Sequence, residues 1–263
     1  MKRNTLLLLL LAVAFCASAQ NQPSQDTAAL KCQGLFSVSP TQQVRFSEGN
    51  LQYQPSTGLW RFAPEQTDIV GWNARYTDSY YKGYIDLFGW GTGMRPAQYS
   101  GNADDYTYTD WGTTCALPTG DGKLWRALTM EEWQYLLNKR PKARRLFGLA
   151  YIEGKFGLVL LPDDWKRPAG TWVQTGVPDT LKNYWSMRTW KRIEASGAVF
   201  LPSECRRMET RNDGGSAGCH YWTATPSNKK KDNASYMTVD IYGPRGREAV
   251  KAQGFSVRLV QEP

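Results

Sequence analysis

The sequence predicts an α+β fold of antiparallel sheets, one or two helices and long loops. Three observations carry that expectation: short period-two segments bounded by turn residues, one stretch with a complete helix start, and a long aromatic stretch with neither period.

In chain order, Val44 and Phe46 alternate with polar neighbours, and Leu51 and Tyr53 alternate with Gln52 and Gln54. After the turn signal Pro55-Ser56-Thr57-Gly58 the alternation resumes through Ala63, so Asn50 to Ala63 reads as a β-hairpin. Trp72 to Trp111 holds eleven aromatic residues in forty, about twice the frequency of the whole chain. No period organises them, which predicts ordered loops or a set of short strands.

Thr129 to Asn138 predicts a helix, with Thr129 as N-cap, Glu132 at the capping-box position, and Met130, Trp133, Leu136 and Leu137 as its apolar stripe. Pro141 forbids simple continuation. Gly157 to Pro162 and Gly197 to Pro202 are apolar runs ended by proline, as in buried strands entering loops. Three further strands are expected at Tyr221 to Thr225, Ser235 to Ile241 and Phe255 to Leu259, with Gly243-Pro244-Arg245-Gly246 as a turn after the second.

The N-terminus sets the compartment. Lys2-Arg3, the apolar block Leu6 to Phe15 and Ala17-Ser18-Ala19 make residues 1–19 a secretory signal peptide, too short in its apolar core to span a bilayer. Cys16 would suit lipid attachment only after a small residue, and Phe15 precedes it. Residues 20–33 are polar and free of aromatics, a flexible stalk, and residues 34–263 form the domain. No other apolar run approaches a spanning length, so the protein is expected at the cell surface, associated with the outer membrane, or in the periplasm.

The net charge of +8 falls to +6 when Lys2 and Arg3 leave. That balance in an exported chain argues against nucleic acid and for an anionic glycan or acidic surface protein. Cys32, Cys115, Cys205 and Cys219 remain, which allows three pairings. Cys205 with Cys219 is preferred because they flank the loop Asn212-Asp213-Gly214-Gly215; Cys32 with Cys115 is the accompanying pair. Closing the first loop stabilises by roughly 3 kcal/mol on the chain-entropy account.

Several residues invite chemical roles. Cys219 and His220 are adjacent, and neighbours on a strand point to opposite faces, which defeats a nucleophile pair. Histidine and cysteine spacings match no zinc motif. Asp104-Asp105 and Asp163-Asp164 are the oxygen-rich pairs that could serve calcium, against the plainer role of solvated loop carboxylates. Glu131 and Glu132 lie about 100° apart on the helix, and Glu132 is absorbed by the capping box.

Binding residues are easier to nominate. Tyr106, Tyr108 and Trp111 could form a platform on which sugar C–H faces stack, the alternative being rings that pin a long loop. Asn228, Lys229, Lys230 and Lys231, with Arg245 and Arg247 after the next strand, would make a cationic surface, although a lysine run is usually a solvated turn.

Certain motifs resemble a known family. "WRALTMEEW" (Trp125 to Trp133), "GLVLLPDDW" (Gly157 to Trp165), "GAVFLP" (Gly197 to Pro202), and "YWTAT" (Tyr221 to Thr225) followed by "GFSVRLV" (Gly254 to Val260) are similar to segments of bacterial C-type-lectin-like domains. The likeness is to the Fibrobacter succinogenes major paralogous domain type found in exported Bacteroidetes proteins, with a distant likeness to relatives of the formylglycine-generating enzyme. "VRFSEGNLQYQPSTGLWRFA" and "GYIDLFGWGTG" resemble the N-terminal half of such proteins. The resemblance implies a C-type-lectin-like domain whose late loops form the ligand face. It also covers an oxidase that uses paired reactive cysteines near its C-terminus, whereas here no cysteine follows Cys219.

The resulting expectation is a non-enzymatic, adhesin-like module without a cofactor, recognising a glycan or surface protein through loops. A structural or assembly component of the envelope is the alternative, and an oxidase the second.

Overall fold

The structure, a computed structural model, describes residues 34–70, 78–92, 100, 102–115, 117, 124–203, 206–208, 211–213 and 218–263. The expected signal peptide and stalk lie outside these residues. Among the described residues no helix is long and apolar enough to cross a membrane.

The architecture is α+β with mostly antiparallel sheets. Strands β1 (Phe36–Ser37), β2 (Gln43–Phe46), β15 (Leu259–Gln261) and β5 (Arg126–Ala127) form one sheet in the order β1-β2-β15-β5. Val44 and Phe46 are buried while Gln43 and Arg45 are half-exposed, as their alternation requires. The expected hairpin is present as β3 (Leu51–Gln54) and β4 (Leu59–Phe62), with Gly58 at φ 72° in the turn. The aromatic stretch that follows adds no full strand where described; it meets the sheets through single bridges, Tyr53 with Ile85 and Phe88 with Phe255, and through side-chain contacts such as the Trp90 indole N–H donating to the Thr223 carbonyl.

The two apolar runs ending in proline are neighbours. β7 (Lys155–Leu160) and β9 (Val199–Pro202) pair antiparallel inside the sheet β8-β6-β7-β9, completed by β6 (Phe147–Ile152) and β8 (Tyr184–Trp185). Both faces of this sheet are covered along most of its length. Leu149, Leu158, Leu160 and Leu201 pack with Phe36, Val44, Cys219 and Tyr221, while Ala150, Val159, Leu161 and Phe200 pack on Trp185 and Trp190. Burial on both faces explains why these strands read as continuous apolar runs.

Among the described residues three α-helices frame the sheets. α1 (Trp111–Thr114) is capped by Asp110, whose carboxylate also accepts from the Ala127 N–H and so fixes α1 to β5. Gly112 lies so close to that strand entrance that an added Cβ would stand 1.4 Å from the Trp125 carbonyl oxygen. α2 (Met130–Gln134) starts with the expected capping box and continues as a π-type turn, Tyr135–Lys139. It stops at Arg140, driven extended (ψ 154°) by Pro141. α3 (Met187–Glu194), capped by Ser186, buries Trp190 and Ile193.

The C-terminal sheet differs from expectation. β12 (Cys219–Pro226) and β13 (Asn233–Asp240) are present, but the third strand is β14 (Gly243–Val250), not Phe255 to Leu259. The turn is Ile241-Tyr242, closed by Gly243 at φ 94°, so Gly243 to Gly246 is strand rather than turn. Its two glycines and Pro244 mimic turn chemistry. Pro244 is tolerated because β14 is an edge, where a missing N–H costs no ladder bond. Phe255, Val257 and Leu259 are instead buried between sheets, with Ser256 bridging to Tyr221 and β15 reaching β2 and β5.

Candidate ligand-binding surface

The proposed aromatic platform is an interior feature. Trp111 has 0% exposure and Tyr106 3%. The Tyr106 hydroxyl accepts from the Ser100 N–H at 2.8 Å and donates to the Ser100 carbonyl at 3.0 Å. Tyr108 stacks on Trp90 with centroids 4.6 Å apart, meets Trp111 edge-on, and donates to Asp110 Oδ2 at 2.9 Å. Burial, then the Asp110 charge, push its phenol well above the usual range. Tyr106 and Trp111 present no open face to a sugar, so these rings pin the loop against the core.

Around Gly218 to Asn228 the structure is equally definite. Cys219 and His220 do diverge to opposite faces. The Cys219 thiol is buried and donates to the Leu201 carbonyl at 3.2 Å, while His220 is buried at 7% and stacks on Phe255 at 5.2 Å. Cys205 lies outside the described residues, and with it the Cys205–Cys219 pairing; Cys32 lies outside them as well, but the free thiol of Cys115 departs from the expected Cys32–Cys115 pairing. Cys115 is a buried free thiol, pushed up to about 12 by burial.

Three of the four carboxylates in the oxygen-rich pairs are engaged within the protein, and the fourth, Asp164, is exposed. Asp163 Oδ2 accepts from the Ser37 N–H and hydroxyl and from Gln43, and Oδ1 meets Arg140. Asp104 pairs with Lys231 at 2.6 Å, and Asp105 accepts from Ser100. Among the described residues no three His, Cys, Asp or Glu side chains are grouped as metal ligands would be.

The basic residues divide into two sets. Lys231 is tied to Asp104, whose carboxyl is held low by that hydrogen bond and then by the ammonium charge; both are fully exposed, so water screens the pair. Arg245 is tied to Asp240 and lies 5.6 Å from the Tyr242 ring centre. Lys229, Lys230 and Arg247, all exposed, have no ion-pair partner among the described residues.

Lys229 and Arg247 border one open groove of about 420 Å³, together with Met130 and Gln134 of α2, Ser235 of β13 and Glu248 of β14. Topology brings them together. α2 packs across the sheet because Gly246 has no side chain: a Cβ there would stand 2.6 Å from Met130 Sδ. Ser235 and Glu248 are register partners facing α2; Arg247, opposite Tyr236, borders the groove from the strand edge. The Ser227 hydroxyl fixes the lysine turn by accepting from the Lys229 and Lys230 N–H groups at 3.1 Å and donating to Glu248 at 2.8 Å. Asn228 is exposed in that turn and does not line the groove.

Sequence reasoning found the cations and missed Gln134, Ser235 and Glu248. The i, i+4 spacing of Met130 and Gln134 on a well-signalled helix was a usable clue; the strand register was not. The groove thus offers two unpaired cations, an amide, a hydroxyl and one carboxylate at a single opening. That set can hold an anionic group and hydrogen-bond its neighbours. Compared with protein-family models, curated proteins and solved structures, the chain matches none.

Proposed function

We propose that this chain is a non-enzymatic binding module, exported to the cell surface, outer membrane or periplasm, that grips a glycan or surface protein through anionic groups. The observation that carries the reading is the groove at β14 and α2, where Lys229 and Arg247 stand without ion-pair partners beside Gln134 and Ser235. The α+β architecture and the burial of Tyr221 and Trp222 in β12 support a C-type-lectin-like domain, whose late strands carry the ligand face. The signal-peptide pattern of residues 1–19 supports export.

The test is binding of the purified chain to an array of sulfated, uronic-acid and neutral glycans, repeated with Lys229→Glu and Arg247→Glu. Retention on anionic glycans that falls with salt and is lost in both variants is the expected result. Charge-reversed variants that bind like the parent, or a parent that retains no anionic glycan or acidic protein, would refute it.

A further inference from the structure

A second surface has different chemistry. Tyr151 of β6 is the register partner of both Tyr184 on β8 and Phe156 on β7, so three aromatic side chains form a row on one sheet face. Tyr184 and Tyr151 are stacked at 5.2 Å with planes 3° apart, and Phe156 lies 5.2 Å from Tyr151. Further along the same face Leu149 is buried in the core; at this end the row opens to solvent, with Tyr184 65% exposed.

Phe156 and Leu149 continue into a groove of about 500 Å³, walled by Val177, Asp179 and the hairpin tip Ile241-Tyr242. Tyr242 is 75% exposed, yet its backbone is fixed by Asp240 and its ring is flanked by Arg245. The opposite wall is also held. Fully buried Asn183 accepts from the Gln174 N–H and donates to the carbonyls of Leu149 and Gln174, while the Gln174 side chain clamps Thr180 and Lys182. The backbone on both sides of the groove that carries these rings is therefore held in place, which lowers the cost of ordering them on a ligand.

We infer that this aromatic row and groove form a second binding site, whose ligand is an uncharged oligosaccharide. Tyr184 and Tyr242 would stack on the apolar C–H faces of sugar rings. The Asp179 carboxylate and the two phenol hydroxyls, which have no hydrogen-bond partner among the described residues, would take the sugar hydroxyls. Among the described residues Asp179 is the only ionisable acid or base other than tyrosine that lines the groove, which disfavours an anionic ligand. A protein partner fits less well. The exposed apolar side chains here, Val177, Ile241, Tyr242 and Tyr184, border a concave groove of small-ligand size rather than forming a broad apolar patch. Pro244 also blunts the neighbouring edge strand against strand addition.

The experiment is calorimetric titration of the full chain with neutral hexasaccharides of glucose, mannose, xylose and N-acetylglucosamine at about 0.1 M and about 1 M salt. At least one should bind with affinity unchanged by salt. Tyr242→Ala and Tyr184→Ala should each weaken it about tenfold, Tyr242→Phe should retain most of it, and Lys229→Glu should leave it unaltered. These side chains are exposed, so thermal melts should match the parent. The inference fails if no neutral sugar binds, if neither alanine variant weakens binding, or if Lys229→Glu abolishes it. Self-association that Tyr242→Ala removes would overturn it too, marking the face as an interface between copies.

Discussion

The Arg140 guanidinium, with no solvent exposure, meets Asp163 Oδ1 at 2.9 Å, and this contact ties the end of the α2 segment to the loop after β7. Arg140 also donates to the Leu146 carbonyl at 3.0 Å, and Asp163 collects Ser37 and Gln43 from β1 and β2. Asp163→Ala would leave a buried cation without its counter-ion. The expected loss is about 3–5 kcal/mol, measured by urea unfolding; a loss under about 1 kcal/mol would contradict the assigned role.

The same carboxylate sets an acid limit. Burial raises its pKa, but the hydrogen bonds from Ser37 and Gln43 and the Arg140 contact outweigh burial and hold it below the ordinary value. A depressed pKa in the folded state means that this stabilisation is complete above the unfolded value, about 3.9, and fades as pH falls through the folded one. Urea midpoints should drop below about pH 4, and the drop should be shallower in Asp163→Asn.

Gly112 predicts a steric failure. With the Trp125 carbonyl oxygen 1.4 Å from an added Cβ, Gly112→Ala must push α1 off β5. The expected cost is about 3 kcal/mol, and a thermal melt like the parent's would show that the approach is not obligatory.

The capping box predicts a smaller effect. The Thr129 hydroxyl accepts from the Glu132 N–H at 3.2 Å and Glu132 accepts from the Thr129 N–H at 2.7 Å, so Thr129→Ala should cost about 1 kcal/mol and Thr129→Ser much less. Chemical denaturation of the pair would distinguish the cap from mere bulk.

Cys115 should be chemically silent in the native protein. Its buried thiol is pushed up to about 12, so almost none is thiolate near neutrality. Iodoacetamide followed by peptide mass spectrometry should find Cys115 modified only after unfolding; rapid native labelling would contradict the burial.

Local features were legible in the sequence and long-range ones were not. The capping box at Thr129 and the hairpin after Leu51 depend on residues a few positions apart, so their pattern is written locally. α3 escaped notice because it is short and its apolar residues Trp190 and Ile193 acquire meaning only against Trp185 and Phe200. β14 was hidden because Gly243, Pro244 and Gly246 read as a turn, and only pairing with β13 makes them strand. At the candidate site, Lys229 and Arg247 were visible as charges. Their meeting with Gln134, and the row of Tyr184, Tyr151 and Phe156, come from the register of strands distant in sequence. Tyr106 and Trp111 were misplaced because aromatic content alone does not tell a platform from a core.

The position of β15 has a consequence for timing. It is an inner strand, held between β2 and β5, although it is built from residues 259–261. Among the described residues β5 has no other strand partner and β2 has only β1, so two separate pieces of the first sheet, far apart in the chain, become one only when residues 259–261 have been made.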